Sequence, residues 1–465
     1  MVFSSLTFVY GFLPLVFLAY FPVKNRTWRN AVLLLASLLF YSWGEPIYLF
    51  LMLTATLAAY GAGLGMAAFP QKKKLLLAAA TVTLVGTLFL FKYLGFFAAN
   101  LSALLGIENR LREIALPIGI SFFTFQILSY VIDLYRGEIE VQKNYFTLLL
   151  YVSFFPQLIA GPIVRYQTVE RELASRRETV AEAFSGTGRF LVGLAKKLLL
   201  ANTVARVVES VYAGDPGVYG TGMYWLAAVA YALQIYFDFS GYSDMAIGLG
   251  RIFGFHFLEN FNDPYCALSV TDFWRRWHIS LSTWFRDYVY IPLGGNRVGK
   301  GRWIRNLLIV WVLTGFWHGA QWNFLLWGLY YGLLLLLEKL FLHKVLEKLP
   351  KLFRWLYAMV IVLVGWVLFY HTDMHSLWQA ISAMFSFRPT DWAGVLSQDA
   401  TIMKNVLYVP IAILACVPVW KPLGRRFRKT LPGTALMALG CLVLFALCNI
   451  YLVSASFNPF IYFRF

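Results

Sequence analysis

The sequence predicts an all-α polytopic membrane protein, and three observations carry that prediction. Apolar runs of membrane-spanning length recur from one end of the chain to the other. Only 14% of the 465 residues are charged and 60% are hydrophobic, where soluble domains carry roughly 25% charged residues. The basic residues gather in short clusters between the apolar runs. No polar stretch is long enough for a separate soluble core, so residues 1–465 read as a single membrane domain.

Taken in order, the candidate spans are Phe3–Phe21, Asn30–Trp43, Ile47–Phe69, Leu75–Phe97 and Ala115–Leu134, then Gly186–Val211 and Met223–Phe237. Leu307–Trp317, Trp322–Phe341, Trp355–Tyr370, Met403–Trp420 and Leu431–Leu452 follow. The first run lacks a basic leader and a small-residue cleavage site, so it reads as a retained helix. Several runs fall short of the ~20 residues a straight crossing needs, which predicts broken or re-entrant segments and about 11 to 13 crossings. Phe154–Ile163, FFPQLIAGPI, carries two prolines and a glycine. It reads as a re-entrant hairpin or as a kinked helix.

Charge sets the sidedness. Lys24, Arg26 and Arg29 follow the first run, and Lys72, Lys73 and Lys74 follow the third. Both clusters are expected in the cytoplasm, with the N-terminus outside. Residues 339–354 and 421–429 are basic and 373–399 are not, an alternation that delivers the C-terminus outside as well. The net charge of +17 is therefore read as cytoplasmic flank charge, with no nucleic-acid partner. The four cysteines show no CxxC spacing, so neither a disulfide nor a metal site is expected.

Thr271–Asn323 concentrates the polar chemistry. His278 and His318 are two of only six histidines in the chain. His318, in TGFWHGAQWN, stands between two apolar runs, where a titratable side chain is costly and marks a candidate functional site. A neutral imidazole there can take a proton from a hydroxyl during acyl transfer; the competing reading is a buried structural histidine. His278, in WRRWHISLSTWFRD, is crowded by Arg275, Arg276, Arg286 and Asp287. For that segment's tryptophans and arginines an amphipathic interfacial helix is the favoured reading.

GGNRVGKG (Gly294–Gly301) comes near a phosphate loop, but Gly301 stands where a magnesium-binding Ser or Thr belongs. Nucleotide hydrolysis is excluded; Arg297, Lys300, Arg302 and Arg305 remain a basic run able to meet the phosphates of a cytosolic cofactor, though positive-inside flank charge is the favoured reading. Asp238 and Asp244 lie in an apolar context with Arg251 or Arg275 as expected partners. The chain ends in NPFIYFRF. Such an apolar tail needs a groove or membrane surface, and Tyr462 is the one nucleophile in its last six residues; an aromatic interfacial anchor is the alternative.

The stretches LLLASLLFYSWGEP, FFPQLIAGPI, DFSGYSDMAIGLGRIFG, DFWRRWHISLSTWFRDYVYIPLGG and TGFWHGAQWNFLLWG, with the opening MVFSSLTFVYGFLPLVFLAYF, resemble the membrane-bound O-acyltransferase (MBOAT) family. The branch that modifies bacterial exported polysaccharides is the nearest in pattern. The resemblance covers nearly the whole chain. It implies a helical bundle around a central tunnel in the bacterial inner membrane, fed with acetyl-CoA from the cytosol.

It further implies His318 as the family's catalytic histidine, His278 as its second histidine, and Tyr462 as an acyl relay in an extracytoplasmic tail, 454–465. Implied partners are a separate extracytoplasmic SGNH-type acetyltransferase and a polysaccharide acceptor. D-alanyl transfer to teichoic acid is the rival within the family. A non-catalytic transporter is the rival outside it, but the internal repeats common in transporters are not visible here.

Overall fold

The computed structural model describes residues 1–454 except 110, 112–113, 160, 215–217, 399 and 428–429. Tyr462 and the rest of the aromatic tail lie outside the described residues. Every regular element among the described residues is helical, as the backbone requires where no water is present to satisfy it. Among the described residues, five helices are long and apolar enough to cross a membrane: Leu49–Ala68, Pro70–Leu105, Trp322–Leu346, Lys351–Tyr370 and Leu431–Ser454. Leu431–Ser454 has only 6% of its apolar window buried within the protein. Its apolar surface all round is what a lipid-facing helix presents.

The chain forms two compact units, Met1–Phe190 with Ser243–Leu258, and Leu191–Tyr242 with Glu259–Phe465. In the first, Phe3, Phe8, Phe12, Phe40 and Phe155 pack ring against ring at 4.8–6.3 Å. An ionic knot ties the polar end of this unit. Glu178 takes Arg26 at 2.7 Å and Arg29 at 2.6 Å, and accepts a hydrogen bond from the Tyr20 hydroxyl at 2.5 Å.

FFPQLIAGPI is not a kinked helix. Helix Tyr145–Ser153 stops at Phe154, whose φ −52° and ψ 110° leave the helical region. At 1.5 Å per residue its nine residues reach about 13 Å, far short of a crossing. The irregular backbone that follows is buried and finds its partners inside the protein. The Phe155 amide donates to Ser37 Oγ at 3.1 Å, and the Tyr151 hydroxyl donates to the Val164 carbonyl at 3.0 Å.

Met223–Phe237 extends further than its apolar run. The helix is Thr221–Ile252 and carries DFSGYSD within it. The acids survive because they are paired, though not with the expected arginines. Asp238 meets Lys197 at 2.5 Å and Asp244 meets Arg189 at 2.8 Å. The small residues admit close backbones: a Cβ on Gly241 would stand 2.7 Å from the Gly193 carbonyl oxygen. The same holds for Lys300–His318 against Trp322–Leu337, where a Cβ on Gly315 or Gly328 would collide with the other helix's backbone.

Candidate active site

The site is built in the second unit from four pieces of chain. The first is helix Val270–Arg276. Ser269 caps it, its hydroxyl accepting from the Asp272 amide at 3.0 Å. A second anchor comes from far along the chain. The buried Glu338 carboxylate accepts from the Val270 amide at 2.7 Å, the Thr271 amide at 2.8 Å and the Thr271 hydroxyl at 2.6 Å. An anion at a helix N-terminus also meets the positive end of the helix dipole.

After Arg276 the chain turns through Trp277 to His278, then re-enters a helix at Ile279–Phe285. His278 makes the turn in the left-handed region, φ 45° and ψ 54°. A non-glycine residue held there is strained by about 1–3 kcal/mol, and such strain clusters at functional sites. Asn260 holds the turn. Its carbonyl accepts from the Ile279 amide at 3.0 Å. Its side-chain oxygen accepts from the Ser280 amide at 3.2 Å and the Ser280 hydroxyl at 2.9 Å, and lies 3.2 Å from His278 Nδ1.

The expectation of an interfacial helix for this segment does not hold. Phe273, Trp274, Trp277 and Trp284 are all buried. Phe273, Trp274 and Trp277 belong to an aromatic core in which Trp274 packs edge-on against Trp311 at 4.9 Å and Tyr331 at 4.8 Å. Two interrupted helices, rather than one amphipathic one, let the rings point inward from a short segment.

His318 closes helix Lys300–His318 and is 8% exposed. Its ring stands edge-on to Trp327 at 5.1 Å and to Phe369 at 5.1 Å. Both candidate histidines line one cavity of about 220 Å³. Arg275, Arg286 and Lys339 line it too. Arg286 pairs with Asp287 at 2.6 Å, whereas Arg275 and Lys339 have no acidic partner within 4 Å among the described residues. Two of the cavity's cations, Arg286 and Lys339, sit in π-helical turns, Arg286–Tyr290 and Glu338–Leu342, a feature frequent at functional sites.

Arg297, Lys300, Arg302 and Arg305 are placed elsewhere. None of them lines this cavity. They flank the turn at Gly294 and Gly295 and the first turns of Lys300–His318. Asn306 ties that turn down, donating to the Leu293 carbonyl at 2.9 Å and the Gly295 carbonyl at 3.3 Å. Sequence reasoning missed Asn260 and Glu338. A lone acid in the apolar run Trp322–Phe341 is a signal that marks Glu338; nothing in its sequence surroundings marks Asn260.

The arrangement supplies two imidazoles, cations at a cavity wall, and a largely apolar lining. Comparison with known proteins bears on its chemistry. Residues 137–372 match the model of a family described as MBOAT, membrane-bound O-acyltransferase. A probable alginate O-acetylase of Azotobacter vinelandii is 39% identical over the whole of both chains. A peptidoglycan O-acetyltransferase of Helicobacter pylori is 30% identical, covering all of this chain and 98% of that protein. A teichoic acid D-alanyltransferase of Bacillus subtilis is 29% identical over 51% of this chain and 62% of its own length.

Proposed function

Since the chain belongs to the membrane-bound O-acyltransferase family, we propose that it moves an acetyl group from cytosolic acetyl-CoA across the membrane for O-acetylation of an exported or cell-wall polysaccharide. The observation that carries this reading is the shared cavity. His278 and His318, 40 positions apart in the sequence, face one space whose wall also holds cations.

His318 is the general base. It takes the proton of the attacking hydroxyl as that oxygen bonds to the thioester carbonyl carbon. The carbon–sulfur bond then breaks, and the imidazolium returns the proton to the departing thiolate. The products are an ester and free CoA thiol. In this reading the hydroxyl is the Tyr462 phenol. With a reference pKa of about 10 it needs such a base near neutral pH. Tyr462 then passes the acetyl group to an extracytoplasmic SGNH-type partner, which esterifies the sugar hydroxyl and leaves the phenol regenerated. His278 supports the cavity that His318 also lines. Arg297, Lys300, Arg302 and Arg305 receive the donor's phosphates at the cytosolic entrance, with Arg275 and Lys339 on the cavity wall.

The test is donor cleavage and transfer by membranes carrying the full chain. His318→Ala should lower turnover by ~10²–10⁴-fold while thermal unfolding of the purified protein is unchanged. Retained turnover would refute the role of His318. Labelled acetyl donor should leave an adduct on Tyr462, and Tyr462→Phe should abolish transfer to the partner. Full transfer by that variant removes the relay. The likeness to a teichoic acid D-alanyltransferase supports a second reading, D-alanyl transfer. A chain that consumes a D-alanyl donor and leaves acetyl-CoA intact would establish it instead.

A further inference from the structure

His278 is 1% exposed, and its two nitrogens have different surroundings. Nδ1 lies 3.2 Å from the side-chain oxygen of Asn260. That atom is oxygen and not nitrogen, because the Ser280 backbone amide, which can only donate, points at it from 3.2 Å. An oxygen with that role cannot donate to Nδ1, and the Ser280 hydroxyl, 3.5 Å from Nδ1, gives its proton to the same Asn260 oxygen at the shorter 2.9 Å, so Nδ1 carries the proton. Nε2 has no hydrogen-bond partner among the described residues. The ring is otherwise packed edge-on against Phe239 at 4.6 Å and near Trp317 at 5.9 Å.

The groups that face it are mostly cationic: Arg275 and Arg286 from its own segment and Lys339 from Glu338–Leu342. His318 and Tyr290 complete the titratable lining of the cavity, and Asp238, beside Phe239, is paired with Lys197. With no carboxylate beside it, a ring so buried takes the neutral form. Its lone pair is then on Nε2, on a residue that lines the cavity. An acceptor left unsatisfied in a buried site is costly, and the strained backbone at φ 45° adds to what the fold sustains here.

We propose that Asn260 is a positioning residue that locks His278 as its Nδ1–H tautomer, so that Nε2 accepts a hydrogen bond from an N–H or O–H of the ligand held in the cavity. This deepens the acyl-transfer reading above and rests on it. The amide-bearing arm of an acyl thioester donor and the attacking hydroxyl both carry such a group. The same lock explains why Asn260 makes three contacts to the residues on either side of the turn rather than one.

The test is the pH profile of acetyl-CoA turnover by full-length protein in membranes, with kcat and KM separated. Asn260→Asp puts a carboxylate against Nδ1–H, which makes the imidazole more basic, and should move the acid limb of kcat up by about one unit. Asn260→Ala frees the ring and should lower kcat by ~10–100-fold per folded molecule with KM little changed. A purely structural role predicts instead a lower melting temperature with the pH profile superimposed on that of the parent, and that result overturns the proposal.

A measurement on the unaltered protein stands beside these variants in case they do not fold. Diethyl pyrocarbonate attacks a bare imidazole nitrogen, so peptide mapping should find His278 modified and acetyl-CoA should protect it. An unreactive His278 beside a modified His318 overturns the inference. His318→Ala separates the two readings. If it keeps turnover, the assignment of the site fails; if it loses turnover while Asn260→Asp shifts nothing, only the tautomer lock fails.

Discussion

Arg275 and Lys339 are the residues whose burden the sequence least reveals. Each looks like one more flanking cation among 40 lysines and arginines, yet both line the cavity that His278 and His318 share. Both are exposed there, and an exposed cation on the cavity wall with no carboxylate partner attracts an anionic ligand. Arg275→Glu combined with Lys339→Glu should therefore raise KM for an anionic acyl donor by at least ~10-fold, the equivalent of about 1.4 kcal/mol, and change kcat less. Titration of turnover against donor concentration checks it, and an unaltered KM removes both residues from donor binding. His318 was legible from the cost of an imidazole between apolar runs. Asn260 was not, because a buried asparagine declares its role only through its partners.

At the scale of elements, glycine decides how closely the helix bearing His318 approaches its neighbour. Gly315 on Lys300–His318 and Gly328 on Trp322–Leu337 leave no room for a Cβ. Gly328→Val should force these backbones apart, costing about 1–3 kcal/mol by overpacking. It should also lower turnover, since the displaced helix carries His318. Thermal unfolding and turnover of the purified variant read the two effects, and a variant with unchanged melting temperature and activity contradicts the close-packing account. Hydropathy located both helices but not their contact, because the apolar pattern of a buried helix is nearly uniform around its axis. The π turns at Arg286–Tyr290 and Glu338–Leu342 were likewise invisible to periodicity, since one extra residue per turn shifts a face without changing composition.

For the molecule as a whole, an exposed clamp offers a pH-dependent contribution to stability. His256 places Nδ1 2.7 Å from Glu172 and Nε2 2.8 Å from Glu182. The hydrogen bond to Glu172, aided by Glu182, raises the imidazole pKa against the opposing effect of partial burial. A raised folded value means that the contribution is fully present below the unfolded pKa of about 6.5 and is lost as pH rises through the folded one. With 55% of the side chain exposed, solvent keeps this within ~1 kcal/mol. The parent should thus melt above His256→Gln at mildly acidic pH, with the gap closing in alkali. A pH-independent gap contradicts the clamp.

The sequence by itself determined the all-helical membrane class, and it singled out FFPQLIAGPI as irregular and the two histidines as candidates, because hydrophobic run length and the cost of buried charge are written residue by residue. Only the tertiary structure decided which partners hold them. It pairs Asp238 with Lys197 and Asp244 with Arg189 instead of Arg251 or Arg275. It sets Glu338 on the end of a helix 67 residues earlier in the chain, and brings His278 and His318 to one cavity. Hydrogen bonds and ion pairs act over about 3 Å, and separation along the chain says little about which groups meet within that distance once helices pack.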